Sequence, residues 1–309
     1  MSGLTGMGVY AGYRAAAFVA RALPAPATGP VADTAARVMA RMMRGRRAMV
    51  ERHLRRVHGP DLAGARLAEE VRRTFASYAR YWVEAFRLPG TTPAQLEAGM
   101  SWEGLEHVER GVAAGNGVIL ALPHLGSWDF GGAWMASRGY RMVAVTEPLA
   151  PERLFRWFAD LRLGVGMEIV PLGPAAGPTT LRRLKEGAVL ALVCDRDLGG
   201  TGVEVEFFGE HTTLPGGPAT IALRTGAVLV PSAVYDRPDG GHHAVMGPPI
   251  DATRRGRLRD DVLRVTQELA HRMEDSIRQA PEQWHLLQPN WPSDRDAVGR
   301  TAGGVPRRH

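Results

Sequence analysis

The sequence predicts an α/β fold in which helices cover a central mixed sheet and basic amphipathic helices precede that sheet. Apolar runs typical of strands alternate with helical segments from residue 117 onward. Arginines recur at helical spacing within residues 1–60, which we expect to associate with a membrane. Hydrophobic residues make up 45% of the 309 positions, enough for a sizeable core. Because no repeat or linker interrupts the chain, we predict one domain over 1–292 and a disordered polar tail over 293–309.

The first 23 residues contain the only candidate for a targeting or membrane-spanning segment. Arg14 and Arg21 interrupt its apolar run, which is shorter than the ~20 residues that a span needs. A signal peptide begins with a positively charged region, whereas no charged side chain precedes Arg14 here. We therefore predict neither a transmembrane helix nor secretion.

Residues 31–57 are expected to form a basic amphipathic helix with a break at Gly45. One interpretation is a surface helix packed on the core, and another is a helix lying in a membrane interface. A DNA-binding helix is a third, although no helix-turn-helix or RNA-binding signature lies beside it. In the membrane interpretation, anionic headgroups contact Arg37, Arg41, Arg44, Arg46, Arg47, Arg52, Arg55 and Arg56.

The rest of the chain is predicted to alternate between helices and strands. Strand-like runs cover 117–122, 142–145, 168–171, 189–194, 228–234 and 243–246. Helices are expected at about 66–88, 102–114, 127–137, 151–162, 178–186, 216–225 and 258–278.

A histidine and an aspartate follow the first of these strands in the segment His-Leu-Gly-Ser-Trp-Asp. Pro123 ends the strand, and Ser127 is a candidate cap for the next helix. His124 therefore lies at the carboxyl end of a strand, where open α/β sheets bind ligands. Across the turn, Asp129 is expected to hydrogen-bond one nitrogen of His124 and leave the other free as a base. The structural alternative is a capping aspartate beside a loop histidine.

Such a pair suits a reaction in which an alcohol attacks an activated acyl group, because a positioned base accelerates that attack about 10²- to 10⁴-fold. No enzyme nucleophile is needed, and no G-x-S-x-G elbow typical of hydrolases occurs. Neither a complete dinucleotide-binding fingerprint nor a P-loop is present. His242 and His243, beside two glycines, are expected in a hairpin loop, and we assign no metal and no cofactor.

Four segments together resemble the lipid A late acyltransferase superfamily, and most of all its actinobacterial branch, the phosphatidylinositol mannoside acyltransferases. In order, they are GVILALPHLGSWDFGG, VCDRDLGGTGVEVEFFGE, LPGGPATIALRTGAVLVP and PEQWHLLQPNW. The similarity spans about residues 78–292. It implies transfer of a long acyl chain, typically palmitoyl, from acyl-CoA to the 6-hydroxyl of a mannose in phosphatidylinositol mannosides.

The resemblance also implies roles for individual residues. His124 is the base and Asp129 its partner, while Asp195 belongs to the catalytic machinery, although the branch carries glutamate there. The substrate contacts that it implies, mainly to acyl-CoA, are Glu147, Arg162, Thr201 and Arg224, the last in place of an acidic residue. Structural alternatives are an ion pair between Glu147 and Arg162, and a turn that Asp195 and Asp197 organise around Arg196.

The lone Cys194 excludes an internal disulfide and is expected to be a buried, inert thiol. The net charge of +6 indicates an acidic partner. We expect acyl-CoA, the mannoside and an anionic membrane surface rather than nucleic acid, at the cytoplasmic face of the plasma membrane. The alternatives are a transferase for another glycolipid or lysolipid, and a lipid- or nucleic-acid-binding protein without catalysis.

Overall fold

A computed structural model describes residues 3–295 of the chain. Four helices form the N-terminal part: α1 (Gly3–Ala22), α2 (Ala25–Met42), α3 (Arg44–His58) and α4 (Gly64–Arg87). The basic stretch is thus two helices, as predicted, but they meet at Met43, and Gly45 lies inside α3. Helix α1 lies within residues 1–60, where helices were predicted, but no bounds were predicted for it. Over residues 3–295, we find no helix with both the length and the hydropathy to cross a membrane.

A seven-stranded sheet forms the centre of the fold, in the order β1-β9-β8-β2-β5-β3-β4. Its strands are β1 (Met100–Glu103), β2 (Val118–Leu122), β3 (Met142–Thr146), β4 (Met167–Pro171), β5 (Val189–Val193), β8 (Val228–Asp236) and β9 (His242–Met246). Neighbours run parallel except β8 and β9, so the sheet is mixed. A separate hairpin joins β6 (Val203–Phe207) to β7 (Glu210–Leu214).

Helices cover both faces of the sheet, and the predicted fold class is confirmed. The remaining helices are α5 (Pro93–Ala98), α6 (Leu105–Ala113), α7 (Trp128–Ser137), α8 (Glu152–Leu163), α9 (Ala176–Lys185), α10 (Gly217–Thr225) and α11 (Leu258–Gln279). All of β2 is buried: Ile119 packs in one core cluster with Leu269 of α11, and Leu120 in the other with Trp134 of α7. A strand buried on both faces is continuously apolar, which is why this run was recognisable.

The helix expected over 102–114 begins only at Leu105, because β1 occupies the residues before Gly104. Gly104 has a φ of +73°, and a Cβ there would lie 1.9 Å from the Met246 carbonyl oxygen. The close approach of β9 therefore requires a glycine at position 104, and α6 begins only after it.

The polar tail was predicted to be disordered from residue 293, and this boundary is wrong. Ser293 to Arg295 belong to the folded part, and the buried Asp294 carboxylate accepts hydrogen bonds from Arg52 and Arg56. These contacts tie the end of the chain to α3. Residues 296–309 lie outside the described part of the chain, so the rest of the tail stays a prediction.

Candidate active site

The site is built where two neighbouring parallel strands end. Strands β2 and β5 pair with Leu122 opposite Val193, so the residues that follow them lie side by side. His124 Nδ1 lies 2.6 Å from Asp195 Oδ1, and the His124 backbone N–H donates to Asp195 Oδ2 at 3.0 Å. The loop that carries His124 after β2 and the loop that carries Asp195 after β5 are therefore joined by two hydrogen bonds.

Asp195 is fully buried and held on several sides. The Trp284 indole N–H donates to its Oδ2 at 2.7 Å, and the Asn290 amide donates to its backbone oxygen at 3.0 Å. Burial alone raises the pKa of this carboxyl, but the hydrogen bonds from His124 and Trp284 keep it below its ordinary value. Because an ionised carboxylate only accepts, the His124 proton lies on Nδ1 and the Nε2 lone pair is available to a ligand.

Asp129 is not the partner of His124, so the predicted hydrogen bond between them is wrong. The Asp129 carboxylate accepts from Arg162 at 2.7 and 2.9 Å and from the Tyr81 hydroxyl at 2.9 Å. Asp129 lies in the first turn of α7, where it contacts α4 and α8, and the Trp128 ring packs nearly perpendicular to the imidazole of His124. The carboxylate that contacts His124 instead belongs to Asp195, in the loop after the adjacent strand β5.

Arg162 and Tyr81 complete a buried polar network with Asp129. Burial disfavours the charged guanidinium, but the contacts with Asp129 outweigh it and raise the pKa of Arg162 above its ordinary value. Burial also raises the pKa of Tyr81, and the Asp129 charge adds to that effect. Tyr81 therefore stays protonated and donates to the carboxylate.

Two further acidic residues of the site, Glu147 and Asp197, differ in their partners from the structural alternatives that the sequence suggested. Glu147 forms an ion pair with Arg196 at 2.9 Å, so the predicted alternative of a pair between Glu147 and Arg162 is wrong. Asp197, without Asp195, organises the turn. It accepts backbone N–H groups of Gly199, Gly200 and Gly202 and the hydroxyl of Thr213.

A cavity of about 890 Å³ opens beside His124 at this edge of the sheet. The predicted contacts Glu147, Arg162, Thr201 and Arg224 all line it. Thr201 and Arg224 are exposed on its rim. Most of its remaining wall is apolar, including Leu149, Phe155, Phe158, Leu181, Leu192 and Ile221. Neither Asp129 nor Asp195 is on the wall, so His124 is the member of the pair that a ligand meets.

Three residues at the centre of the site were not identified from the sequence as contacts. These are Tyr81, Trp284 and Asn290, which hold Asp129 and Asp195. Trp284 and Asn290 belong to the segment PEQWHLLQPNW, but nothing local to that segment indicates which strand end it contacts. Cys194 is buried, and burial raises the pKa of its thiol. Its inertness stays a prediction.

Comparison with known proteins defines the class and the family. A family model described as bacterial lipid A biosynthesis acyltransferase matches residues 5–293. This α/β protein, with its histidine–aspartate pair beside an apolar cavity, is therefore an acyltransferase. The chain belongs to the bacterial lipid A biosynthesis acyltransferase family, as the four sequence segments predicted.

Curated relatives are similar over most of the chain. A phosphatidylinositol mannoside acyltransferase of Mycobacterium tuberculosis is 38% identical over 288 residues, covering 91% of this chain and 88% of the relative. Its counterpart of the same name from Mycolicibacterium smegmatis is 37% identical, with 94% and 92% covered. A lipid A biosynthesis acyltransferase of Haemophilus influenzae is 27% identical over 59% of this chain and 55% of that protein.

Proposed function

We propose that this protein transfers a long-chain acyl group, such as palmitoyl, from acyl-CoA to the 6-hydroxyl of a mannose in phosphatidylinositol mannosides. The observation that carries the proposal is the 2.6 Å contact between the buried Asp195 and His124, which lies on the wall of a large and mostly apolar cavity. The mycobacterial relatives, which are phosphatidylinositol mannoside acyltransferases by name, support this choice of acceptor.

In the proposed reaction, His124 Nε2 takes the proton of the mannose hydroxyl as that oxygen attacks the thioester carbonyl carbon. The new C–O bond forms, the C–S bond breaks, and the imidazolium returns its proton to the departing thiolate of CoA. Asp195 stabilises the imidazolium and keeps its proton on Nδ1. No covalent acyl–enzyme intermediate is required.

The cavity supports the assignment of the donor. A buried acyl chain gains about 0.8 kcal/mol for each methylene removed from water, and apolar side chains form most of the wall. We assign Thr201 and Arg224 on the exposed rim to the polar part of acyl-CoA. We assign Arg162 and Glu147 to contacts with the substrate near the reacting carbonyl. Arg162 is held by its ion pair with Asp129, and Glu147 by its ion pair with Arg196.

We also propose that the protein binds peripherally to the anionic cytoplasmic face of the plasma membrane, without nucleic acid as a partner. Arg41, Arg44 and Arg46 are exposed where α2 meets α3, beside Met42 with 79% of its surface exposed. Cationic side chains around an exposed apolar one suit an anionic lipid interface. Three of the predicted arginines already bind groups of the protein: Arg52 and Arg56 bind Asp294, and Arg55 donates to the Leu62 carbonyl.

The test is incubation with radiolabelled palmitoyl-CoA and a panel of acceptors: mannosylated phosphatidylinositols, a lipid A precursor, a lysophospholipid and water alone. We expect label in a mannoside ester, and a loss of about 10²- to 10⁴-fold with His124→Ala. His211→Ala is the matched control, because His211 is an exposed histidine on β7 outside the cavity wall and should keep full activity.

Each other outcome points to a different conclusion. Label in the lipid A precursor or the lysophospholipid moves the assignment to another acceptor, as the Haemophilus influenzae relative would favour. Free palmitate alone indicates a hydrolase. Full activity of His124→Ala rejects the base, and tight binding without any product rejects catalysis.

A further inference from the structure

A buried histidine outside the proposed catalytic pair lies between two carboxylates. His242, the first residue of β9, is 5% exposed. Its Nε2 is 2.8 Å from a carboxylate oxygen of Glu84 on α4. Its Nδ1 lies 3.3 Å from Asp236 Oδ1 at the end of β8, a close ion pair rather than an aligned hydrogen bond. Each ring nitrogen therefore faces its own carboxylate.

The surroundings of His242 favour the imidazolium. The charged groups that face it are Glu84 from α4 and Asp236 from β8, while α7 contributes the uncharged Phe130 ring with its centroid 4.2 Å away. A neutral ring would leave two carboxylates without a cation in a largely enclosed place, which is costly. Burial lowers the pKa of His242, but the contacts with Asp236 and Glu84 outweigh it and raise the pKa to about 9.

Both carboxylates connect to the loop and helix that carry the site. Asp236 accepts the Ser127 hydroxyl at 2.8 Å, and the Ser127 backbone N–H donates to Val234 in the same strand. Glu84 lies three residues after Tyr81 on α4, so the two side chains share one face of that helix. Tyr81 in turn donates to Asp129. His242 thus connects two elements next to the site. Through Asp236 it reaches Ser127, in the loop that carries His124, and through Glu84 it reaches α4, whose Tyr81 binds Asp129.

We propose that His242 is a positioning residue, whose imidazolium joins Glu84 to Asp236 and thereby fixes α4 and the Ser127 loop around the catalytic pair. The expected effect on turnover rests on the proposed acyl transfer, whereas the charge state of His242 does not. The residue touches no substrate and acts through the placement of its neighbours.

The same three residues also have the composition of a metal site, since a ligand atom of each lies within 4.8 Å of the others. The geometry favours the imidazolium over an ion. A metal takes one ring nitrogen, whereas here opposite sides of the ring each face a carboxylate. An ion on one side would leave the other carboxylate beside a ring nitrogen without a full positive charge.

The direct test is an NMR titration of the imidazole nitrogens of the full chain between pH 5 and 10.5. We expect the His242 ring to stay doubly protonated through pH 8, with a midpoint near 9. Glu84→Gln should lower that midpoint by about one unit, because it removes one of the two negative charges. A ring that is neutral at pH 7.5, or a midpoint that Glu84→Gln leaves unchanged, would overturn the proposal.

The kinetic test compares His242→Gln with His243→Gln. His243 is next to His242 in β9, but its Nδ1 contacts Ser101 of β1, so it is the matched control. We expect His242→Gln to lower kcat about 10- to 100-fold with KM changed less than about twofold, because the pair is misplaced and the cavity is kept. The alkaline limb of the kcat profile near pH 9 should disappear in this variant and persist in His243→Gln.

The other outcomes separate this inference from the proposed function. Unchanged kcat in a folded His242→Gln overturns the positioning role while leaving the transferase intact. Stoichiometric Zn²⁺ binding that His242→Gln abolishes would instead make the cluster a metal site. If the wild-type protein transfers no acyl group, the proposed function fails, and the titration and the Glu84→Gln shift still decide the charge state.

Discussion

The imidazole of His124 and the carboxylate of Asp195 lie 2.6 Å apart, although 71 positions separate them in the chain. They meet because β2 and β5 are hydrogen-bonded neighbours in the sheet and run in the same direction. The carboxylate is fully buried, accepts a second hydrogen bond from the His124 backbone, and is oriented by Trp284. A base built in this way is fixed before any substrate arrives, which lowers the reorganisation needed during proton transfer.

Asp195→Asn tests the role of this carboxylate. The amide NH₂ group can donate to Nδ1, which would place the imidazole proton on Nε2 and prevent that nitrogen from accepting a proton from the acceptor hydroxyl. We expect kcat to fall about 10³- to 10⁴-fold with little change in KM. Asp260→Asn, at an exposed aspartate of α11, is the control. Activity within tenfold of wild type would rule out a role for the Asp195 carboxylate in catalysis.

Asp195→Glu asks whether the shorter acid matters in this chain, given that similar proteins of the mannoside branch were expected to carry glutamate. The aspartate already reaches the histidine, and its two oxygens accept from three N–H groups. An added methylene in this fully buried place must displace the oxygens or their donors. We expect kcat to fall about 10-fold and stability by about 1–3 kcal/mol, measured by chemical denaturation. Wild-type values for both would show that the site adapts to either length.

The sequence predicted His124 correctly as a cavity residue, but not its hydrogen-bond partner. Local spacing placed Asp129 near the histidine, whereas the contact with Asp195 depends on strand order, which no local pattern reports. The alternation Val203-Glu-Val-Glu-Phe207 is a period-two strand signal, and β6 could have been predicted from it. By contrast, the burial of Asp294 depends on Arg52 and Arg56 from α3, more than 200 positions away. Charged residues near a chain end carry no local sign of such contacts.

The pair of Asp129 and Arg162 is expected to act on stability more than on proton transfer. Both side chains are largely buried, with 10% and 19% of their surface exposed, so removing one partner leaves an uncompensated charge. We expect Asp129→Asn to lower the free energy of unfolding by about 3 kcal/mol. The double variant Asp129→Leu with Arg162→Met should recover at least half of that loss. The single variants Asp129→Leu and Arg162→Met complete the double-mutant cycle. If their losses of unfolding free energy sum to the loss of the double variant, the two residues are not coupled.

The same variants separate the roles of the two aspartates in turnover. At a temperature where each protein is folded, Asp129→Asn should retain more activity than Asp195→Asn by at least about tenfold, because only Asp195 contacts the imidazole. Equal losses would return Asp129 to the catalytic machinery and would require a closer approach to His124 in the substrate complex.

Membrane binding is tested by reversing the charge of Arg41, Arg44 and Arg46 together. These exposed arginines lie within four positions of Met42 in the chain, and each is expected to contribute about 1 kcal/mol of attraction to anionic lipid. We expect the glutamate variant to lose sedimentation with vesicles that contain phosphatidylinositol, while the wild type binds more weakly as salt rises. Glutamate substitution of Arg259 and Arg272, exposed on α11, is the control. Undiminished binding of the first variant would rule out this corner as the membrane contact.

His285 should make the protein sensitive to acid. It is buried beside Tyr78, Tyr81 and Trp128, with Nε2 3.0 Å from Ser77 Oγ, and burial lowers its pKa to about 3. Between pH 6.5 and about 3, the unfolded chain binds a proton at His285 that the folded chain excludes. The free energy of unfolding therefore decreases as the pH is lowered, by at most about 1.4 kcal/mol per pH unit.

His285→Phe keeps a buried ring and removes the titration, at the cost of one hydrogen bond of about 1 kcal/mol. Carboxylates such as Asp294 also contribute to acid unfolding, but they are common to both proteins. We therefore expect the difference in unfolding free energy between His285→Phe and wild type to change steadily in favour of the variant from pH 6.5 to 4. His58→Gln, at an exposed histidine of α3, should follow the wild type at every pH. A constant difference between His285→Phe and wild type would mean that the folded protein takes up the proton at His285 as readily as the unfolded chain does.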